Sequence, residues 1–439
     1  MNFKKFFLFL MSFSICLTFL SAQENDEQDK TTETLVLTIE DAVQLAKKNN
    51  VSIKIAENTL NNLKTQNKYS WNSVSPSLSA SGKITDDIEA ESSSVDITGA
   101  VSLSLKTNVY SDIMGAKLNY EKGLITYNEA VRKIELSVRK SFYNLIYQKE
   151  NLVLQNRSLE TSKTQYLNNQ EKFKNGKISE LDALTSRVNY ESKKPTVESA
   201  EITYQNDFAS FKQVLGISQN TKVELNGSLD SFLELKEIAF ESLPKVEKPS
   251  PDVQSAEYDV KIAENSLLDS RFSAYSPSIT GSYSYGKTKK SSVNDWNTTN
   301  QLSVGLSVPL DGVLPWSAKS VSIKTKKNSL DTAEKTLENA KTTVAVQTES
   351  YIRKINQAIK QLDSLKETEK LANQTYQMTL TAYNYGKTDF LSLQNANDSV
   401  LSAGVNLKNQ AYTLVSTILD LENVLGLEFG TLENNEINK

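Results

Sequence analysis

The chain has 439 residues, a formal net charge of −4 and 23% charged residues, yet no histidine and a single cysteine. That excludes Ser-His-Asp and Cys-His catalysis, zinc sites built on imidazole or thiolate, and a disulfide framework. Near-balanced charge without a basic block gives nucleic acid no electrostatic footing, and no paired acids form a recognisable hydrolytic site.

At the N-terminus, Lys4 and Lys5 precede an apolar run from Phe6 to Leu20, and Ser21-Ala22 offers small residues for cleavage before Gln23. The run falls short of the roughly 20 apolar residues of a membrane helix, so residues 1–22 are predicted to be a secretory signal peptide. Cys16 lies inside that run and leaves with it. Residues 23–37 then read as a linker.

Beyond this linker the chain repeats itself. Ser75-Pro76-Ser77-Leu78 recurs as Ser276-Pro277-Ser278-Ile279, and Val101-Ser102-Leu103 as Leu302-Ser303-Val304. Later, Phe173-Lys174-Asn175-Gly176-Lys177 recurs as Tyr383-Asn384-Tyr385-Gly386-Lys387, and Val214-Leu215-Gly216-Ile217 as Val424-Leu425-Gly426-Leu427. Such internal repetition sets the domain plan. A first repeat is predicted over 38–217 and a second over 251–427, joined by a 218–250 linker holding Pro244 and Pro249. A tail covers 428–439.

Each repeat opens with a helix, about Ile39 to Tyr69 with a break near Asn49-Asn50, and about Asp252 to Phe272. Two alternating segments come next: about 77–84 and 97–109, then about 278–285 and 302–310. Val101, Leu103 and Leu105 alternate with Ser102 and Ser104, as Leu302, Val304 and Leu306 do with Ser303 and Gly305. Period two with one apolar and one small polar face fits a transmembrane β-barrel strand, or a soluble hairpin laid on a core. Gly281 to Thr288 also fits the phosphate-loop pattern, but it lies within a strand pattern and no helix comes after it, so nucleotide binding is rejected. Trp71, Trp316, Tyr283, Tyr285 and Trp296 flank or lie within these strands. Their placement fits either a membrane-interface belt or packing at the helix–strand junction. The inter-strand loops differ in charge, with Asp86, Asp87, Glu89 and Glu91 in one and Lys287, Lys289 and Lys290 in the other.

Heptad spacing carries the third part of each repeat. Leu145, Leu152, Leu159, Tyr166 and Phe173 recur in one copy, and Leu330, Leu337, Val344, Tyr351, Ala358, Leu365 and Ala372 in the other. Sustained heptads predict supercoiled helices, here two helical hairpins over about 115–217 and 316–427. A helix from about Ala116 to Lys174 would span roughly 90 Å. Gly176 and Gly386 suit the left-handed closure of a helix end. Ser179 to Asp182 reads as a capping box for the first returning helix, and Thr388 or Asp389 caps the second. The first returning helix presents Leu181, Leu184 and Val188, and Pro195 is expected to kink or interrupt it.

Four strands cannot close a barrel, and a bilayer leaves no backbone edge unpaired, so membrane strands here require several chains. In this order, Thr38-Ile39-Glu40-Asp41-Ala42 through Asn49-Asn50, the two Ser-Pro-Ser motifs and the aromatic-x-x-Gly tips resemble the TolC family of outer-membrane efflux and type I secretion proteins. The resemblance covers nearly the whole chain after the leader. It implies a mostly α fold with a small β part: long antiparallel coiled-coil hairpins plus four transmembrane strands per chain. In the homotrimer these make a twelve-stranded barrel in outer-membrane lipid and an α-helical tunnel in the periplasm. It implies no cofactor and no enzyme activity. The partners it implies are a periplasmic adaptor protein and an inner-membrane pump. The adaptor would meet the tips at Phe173, Asn175, Gly176, Lys177, Tyr385, Gly386 and Lys387.

The family's namesake carries gating acids at the positions of Asp182, Ser392 and Asn395, and an arginine at Thr388. Here the second hairpin lacks those charges, so a gate built from Asp182, Tyr383, Thr388, Ser392 and Asn395 would rest more on polar contacts. Asp182 serves equally well as a helix-capping residue. The rival reading is a periplasmic coiled-coil protein of structural or adaptor type, without a pore.

Overall fold

The computed structural model describes residues 34–87, 92–235, 249–290 and 295–432. The predicted signal peptide, Pro244, and the loop acids Glu89 and Glu91 lie outside the described residues.

A short strand β1 (Leu35–Leu37) leads into α1 (Ile39–Asn49) and α2 (Val51–Lys68). A capping box starts α1: the Thr38 hydroxyl accepts the Asp41 N–H at 3.2 Å, and the Asp41 carboxylate accepts the Thr38 N–H at 3.2 Å. The break falls at Asn50. Its side-chain oxygen accepts the Ser52 N–H at 2.8 Å and so caps α2, while its amide donates to the Val214 carbonyl at 2.7 Å. A local stop signal thereby becomes a tertiary tie.

Strands β2 (Ser77–Asp87) and β3 (Ser92–Lys106) come next, then α3 (Val109–Lys174) and α4 (Glu180–Leu215). The second half supplies β4 (Val223–Leu225), α5 (Pro251–Tyr275), β5 (Ser278–Lys290), β6 (Asn297–Ser307), α6 (Ala318–Asn384) and α7 (Phe390–Leu425). The strands run further outward than the alternating pattern alone indicated, because polar residues continue the ladder beyond the apolar ones. The two segments read as linkers each yield a strand: β1 and β4 pair in parallel, Leu35 opposite Val223.

Two helices, α3 and α6, run the full height of the helical part, at about 100 Å each for 66 and 67 residues. Beside them, shorter helices stack end to end. The C-terminal turn of α4 meets the α1–α2 break, where a Cβ on Gly216 (φ 68°) would lie 2.8 Å from the Asn49 carbonyl oxygen. Likewise α7 ends at Gly426 (φ 73°), against Pro251 at the start of α5. Toward the tips the lateral order is α4–α3–α7–α6, and toward the strands α2–α3–α5–α6.

The core sits midway along the long helices, where the joints, β1, β4 and the chain beyond α7 wrap them. Val138, Phe142 and Leu145 of α3 pack there with Phe211 and Leu215 of α4, Ile355 and Leu362 of α6, and Leu414 and Leu421 of α7. The tail begins inside this core: Leu432 is buried, and its N–H and that of Gly430 donate to the Glu422 carboxylate at 2.9 and 3.0 Å. Arg132 donates to the Glu422 and Leu427 carbonyls and stacks on Phe429.

The interruption expected in α4 is corrected. Pro195 does not interrupt it: the helix is continuous from Glu180 to Leu215. The lost donor and ring clash fall on an exposed stretch beside an open groove lined by Tyr147, Asn151 and Thr203, which gives the turn room to relax. Leu181, Leu184 and Val188 of α4 are all exposed within the chain. The buried face of the first hairpin toward its tip is polar: Ser158, Ser162, Gln165 and Asn169 on α3, with Ser186 and Asn189 on α4.

Candidate functional site

One candidate site is the sheet, ordered β2-β3-β5-β6 and antiparallel throughout. Its register aligns the alternation across all four strands. Leu78, Val101, Tyr283 and Leu302 form one row, and Leu103, Gly281 and Val304 another, with Leu105, Ile279 and Leu306 beyond. On the opposite face stand Ser77, Ser102, Ser282 and Ser303, then Ser79, Ala100, Ser284 and Gln301. The apolar face is bare: Leu78 is 81% exposed and Val304 78%. Neither a helix nor a second sheet of the described residues covers it. A soluble hairpin would bury that face, so the alternation serves a different solvent. The edges β2 and β6 pair on one side only. Trp71, Trp316 and Trp296 are exposed, the first two at the helix end of the strands and the third at the far end. No described helix is apolar and long enough to cross a membrane.

The second candidate site is the tip of the hairpins. Gly176 and Gly386 both take φ 66°. The N–H of Lys177 donates to the Lys172 carbonyl at 2.8 Å, and that of Lys387 to the Ala382 carbonyl at 2.9 Å. These bonds close each long helix with the same left-handed turn. Phe173, Asn175, Gly176, Lys177, Tyr385, Gly386 and Lys387 are all exposed there. Ser179 caps α4, accepting the Asp182 N–H at 3.1 Å and donating its hydroxyl to the Asp182 carboxylate at 2.7 Å. Asp389, not Thr388, caps α7, accepting the Ser392 N–H at 2.7 Å.

Among the gate residues, the structure brings Tyr383 and Asp182 into one electrostatic neighbourhood. The Tyr383 hydroxyl donates to the Asn169 side-chain oxygen at 2.6 Å, which ties the second hairpin to the first. Lys172 lies over its ring at 4.4 Å, and Phe390 meets it edge-on at 6.1 Å. Burial pushes the Tyr383 hydroxyl above its ordinary pKa against the opposing Asn169 hydrogen bond, and the Asp182 charge adds to the rise. Ser392 and Asn395 are exposed on the first turns of α7, apart from that contact, and Thr388 is half-buried.

Sequence reasoning missed Asn169 and a second tie higher up. There the Lys193 ammonium of α4 reaches past α3, donating to the Ser158 hydroxyl at 2.8 Å and the Asp398 carboxylate of α7 at 2.7 Å. The signal existed as a polar helical period at Ser158, Ser162, Gln165 and Asn169, but such a pattern also describes a solvated face. Among the described residues no group of acids is placed to hold a metal ion.

Comparison with known proteins agrees with this geometry. Residues 243–427 match the family model described as outer membrane efflux protein. No curated protein matches the chain. Among solved structures, the chain is similar to the CmeC outer membrane channel of Campylobacter jejuni, with 18% identity and a TM-score of 0.74, over 91% of this chain and 88% of that one. It is similar to the MtrE outer membrane channel of Neisseria gonorrhoeae, with 18% identity and a TM-score of 0.71, over 92% and 94%. The outer membrane protein VceC of Vibrio cholerae gives 12% identity and a TM-score of 0.69, over 89% and 96%.

Proposed function

We propose that this chain, whose residues 243–427 match the outer membrane efflux protein model, is a member of that family and that three copies of it form the outer-membrane exit duct of an efflux or secretion system. The observation that carries this reading is the uncovered apolar face of a sheet with two open edges. A bilayer is the solvent that such a face fits, and neighbouring copies are the partners that such edges need. Three copies supply twelve strands, enough for a lumen, whereas two supply eight, whose interior side chains fill. The serine-rich face then lines the lumen.

The helices support the same side-by-side association of copies. In the lateral order α4–α3–α7–α6 the outer members keep exposed apolar residues: Leu181, Leu184, Val188 and Ile202 on α4, and Leu371 and Met378 on α6. These stripes fit one another between neighbouring copies, which explains why Leu181, Leu184 and Val188 are bare in one chain. The helical part is a periplasmic tunnel of about 100 Å, entered at the tips. Asp182, Tyr383, Thr388, Ser392 and Asn395 are the gate candidates. The exposed tip residues, Phe173 to Lys177 and Tyr385 to Lys387, would meet a periplasmic adaptor served by an inner-membrane pump. The duct is passive, needs no cofactor and is not an enzyme.

The test is cysteine labelling at Leu103 and Leu302 with a lipid-confined reagent, alongside conductance in planar bilayers. Labelling at both positions and a stable ion-conducting oligomer are expected. A monomeric, freely soluble product with both positions open to aqueous reagent would overturn the reading and favour a coiled-coil protein without a pore.

A further inference from the structure

We propose that the outward face of the sheet carries a binding site for an anionic phospholipid at its end remote from the helices. The proposal rests on the membrane reading above. The apolar face does not end evenly. On β2 and β3 it continues to Ile84, Val95 and Ile97, but on β5 the same face turns to Lys287, opposite Ile97, and Lys289, opposite Val95. Both lysines are exposed. Lysine on the lipid side of a barrel is unfavourable at mid-depth and tolerable near the interface, where its stem covers apolar surface and its ammonium reaches the headgroups.

Beside Lys287 the face is hollowed. Ile97, Gly99, Tyr285, Lys287 and Trp296 line a groove of about 200 Å³. Its floor is Gly99, opposite Tyr285 in the ladder, where a Cβ would meet nothing within 4 Å. An apolar slot with aromatic walls and an ammonium at its mouth is complementary to one acyl chain joined to a phosphate. Lys289, two residues further along β5 and so about 7 Å away, adds a second positive charge on the headgroup side. Among the described residues, two carboxylates bound the patch on this face: Asp86 stands two strands away on β2, opposite Ser93, and the exposed Asp295 precedes Trp296. Lys83, Asp96 and Lys290 belong to the other face, where Asp96 accepts a hydrogen bond from Thr288 at 2.6 Å.

The experiment uses the full chain with Trp71→Phe and Trp316→Phe, leaving Trp296 as its sole indole, in vesicles containing brominated phosphatidylglycerol or brominated phosphatidylcholine. Quenching should favour the anionic lipid by about thirtyfold in relative affinity at low salt, from two lysines near the surface, and the preference should shrink as salt rises. Lys287→Gln with Lys289→Gln should bring the ratio to about one. Gly99→Leu, which fills the slot, should weaken quenching by both lipids. Soluble glycerol phosphate should leave quenching unchanged. Equal quenching by the two lipids, a preference that survives the double lysine substitution, or displacement by glycerol phosphate would overturn the site while leaving the membrane reading intact. No quenching by either lipid would overturn the site, and labelling at Leu103 and Leu302 decides the membrane reading separately. Native mass spectrometry of the unsubstituted protein, counting retained anionic lipid, gives the same decision if the tryptophan background fails to fold.

Discussion

Tyr383→Phe should shift the hairpin tips toward an open state. The substitution removes one hydroxyl and little else, since the ring keeps its edge contact with Phe390 and the Lys172 ammonium above it. What it strips is the 2.6 Å bond to the Asn169 side-chain oxygen. Asn169 is 1% exposed, and its side-chain nitrogen already has no protein partner. The loss therefore leaves a buried amide with neither end paired, at a cost of about 1–3 kcal/mol to the arrangement in which the two hairpins are tied. Taking about 2 kcal/mol, the opening equilibrium rises roughly thirtyfold, so a tip open about 1% of the time would be open about a quarter of it. Single-channel recording in planar bilayers reads that fraction directly. Asn169→Ala in the Tyr383→Phe background should add less than it does alone, because both remove the same contact. In the unsubstituted protein the open fraction should stay flat from pH 6 to 9, since the raised pKa keeps the Tyr383 hydroxyl protonated as a donor. An open fraction unchanged in Tyr383→Phe would refute the idea that this bond holds the tips together.

Two acids in and beside the core should answer pH in opposite senses. Burial raises the pKa of Glu422, so the native state binds its proton before the unfolded chain does, and its contribution to stability falls as pH rises through that window. Burial also acts against Glu135, but Lys47 at 2.6 Å and Arg139 at 3.0 Å outweigh it and hold its pKa low. Its contribution is therefore present at neutral pH and lost as pH falls through the lowered value. Thermal melts should show Glu135→Gln losing about 1–2 kcal/mol at pH 7, a loss that shrinks as pH falls through the lowered value, while Glu422→Gln gains on the wild type as pH rises. Gly216→Ala and Gly176→Ala share a left-handed backbone that costs about 1–2 kcal/mol for any other residue. Only Gly216 also faces a backbone oxygen at 2.8 Å, whereas Gly176 faces open space. The first should lower the melting temperature clearly more than the second, and equal shifts would mean that the stacked helix joint tolerates separation.

Much of this protein is local and therefore readable along the chain. Heptads, Asn50, the tip glycines and the two serine-rich alternations each act through neighbours within one or two turns, and the repetition doubles every signal. Pairing across elements is not local. That α4 crosses Pro195 unbroken depended on the groove beside it. That Leu181, Leu184 and Val188 face outward came from a polar seam on the other side of the same helix. Asn169, the partner of Tyr383, lies 214 residues away, in the other repeat. Alternation in a single strand could not separate a core-facing hairpin from a lipid-facing one, because both bury one face. The tertiary structure decided it: four strands in register place their apolar residues on one side, and no part of the described chain covers them.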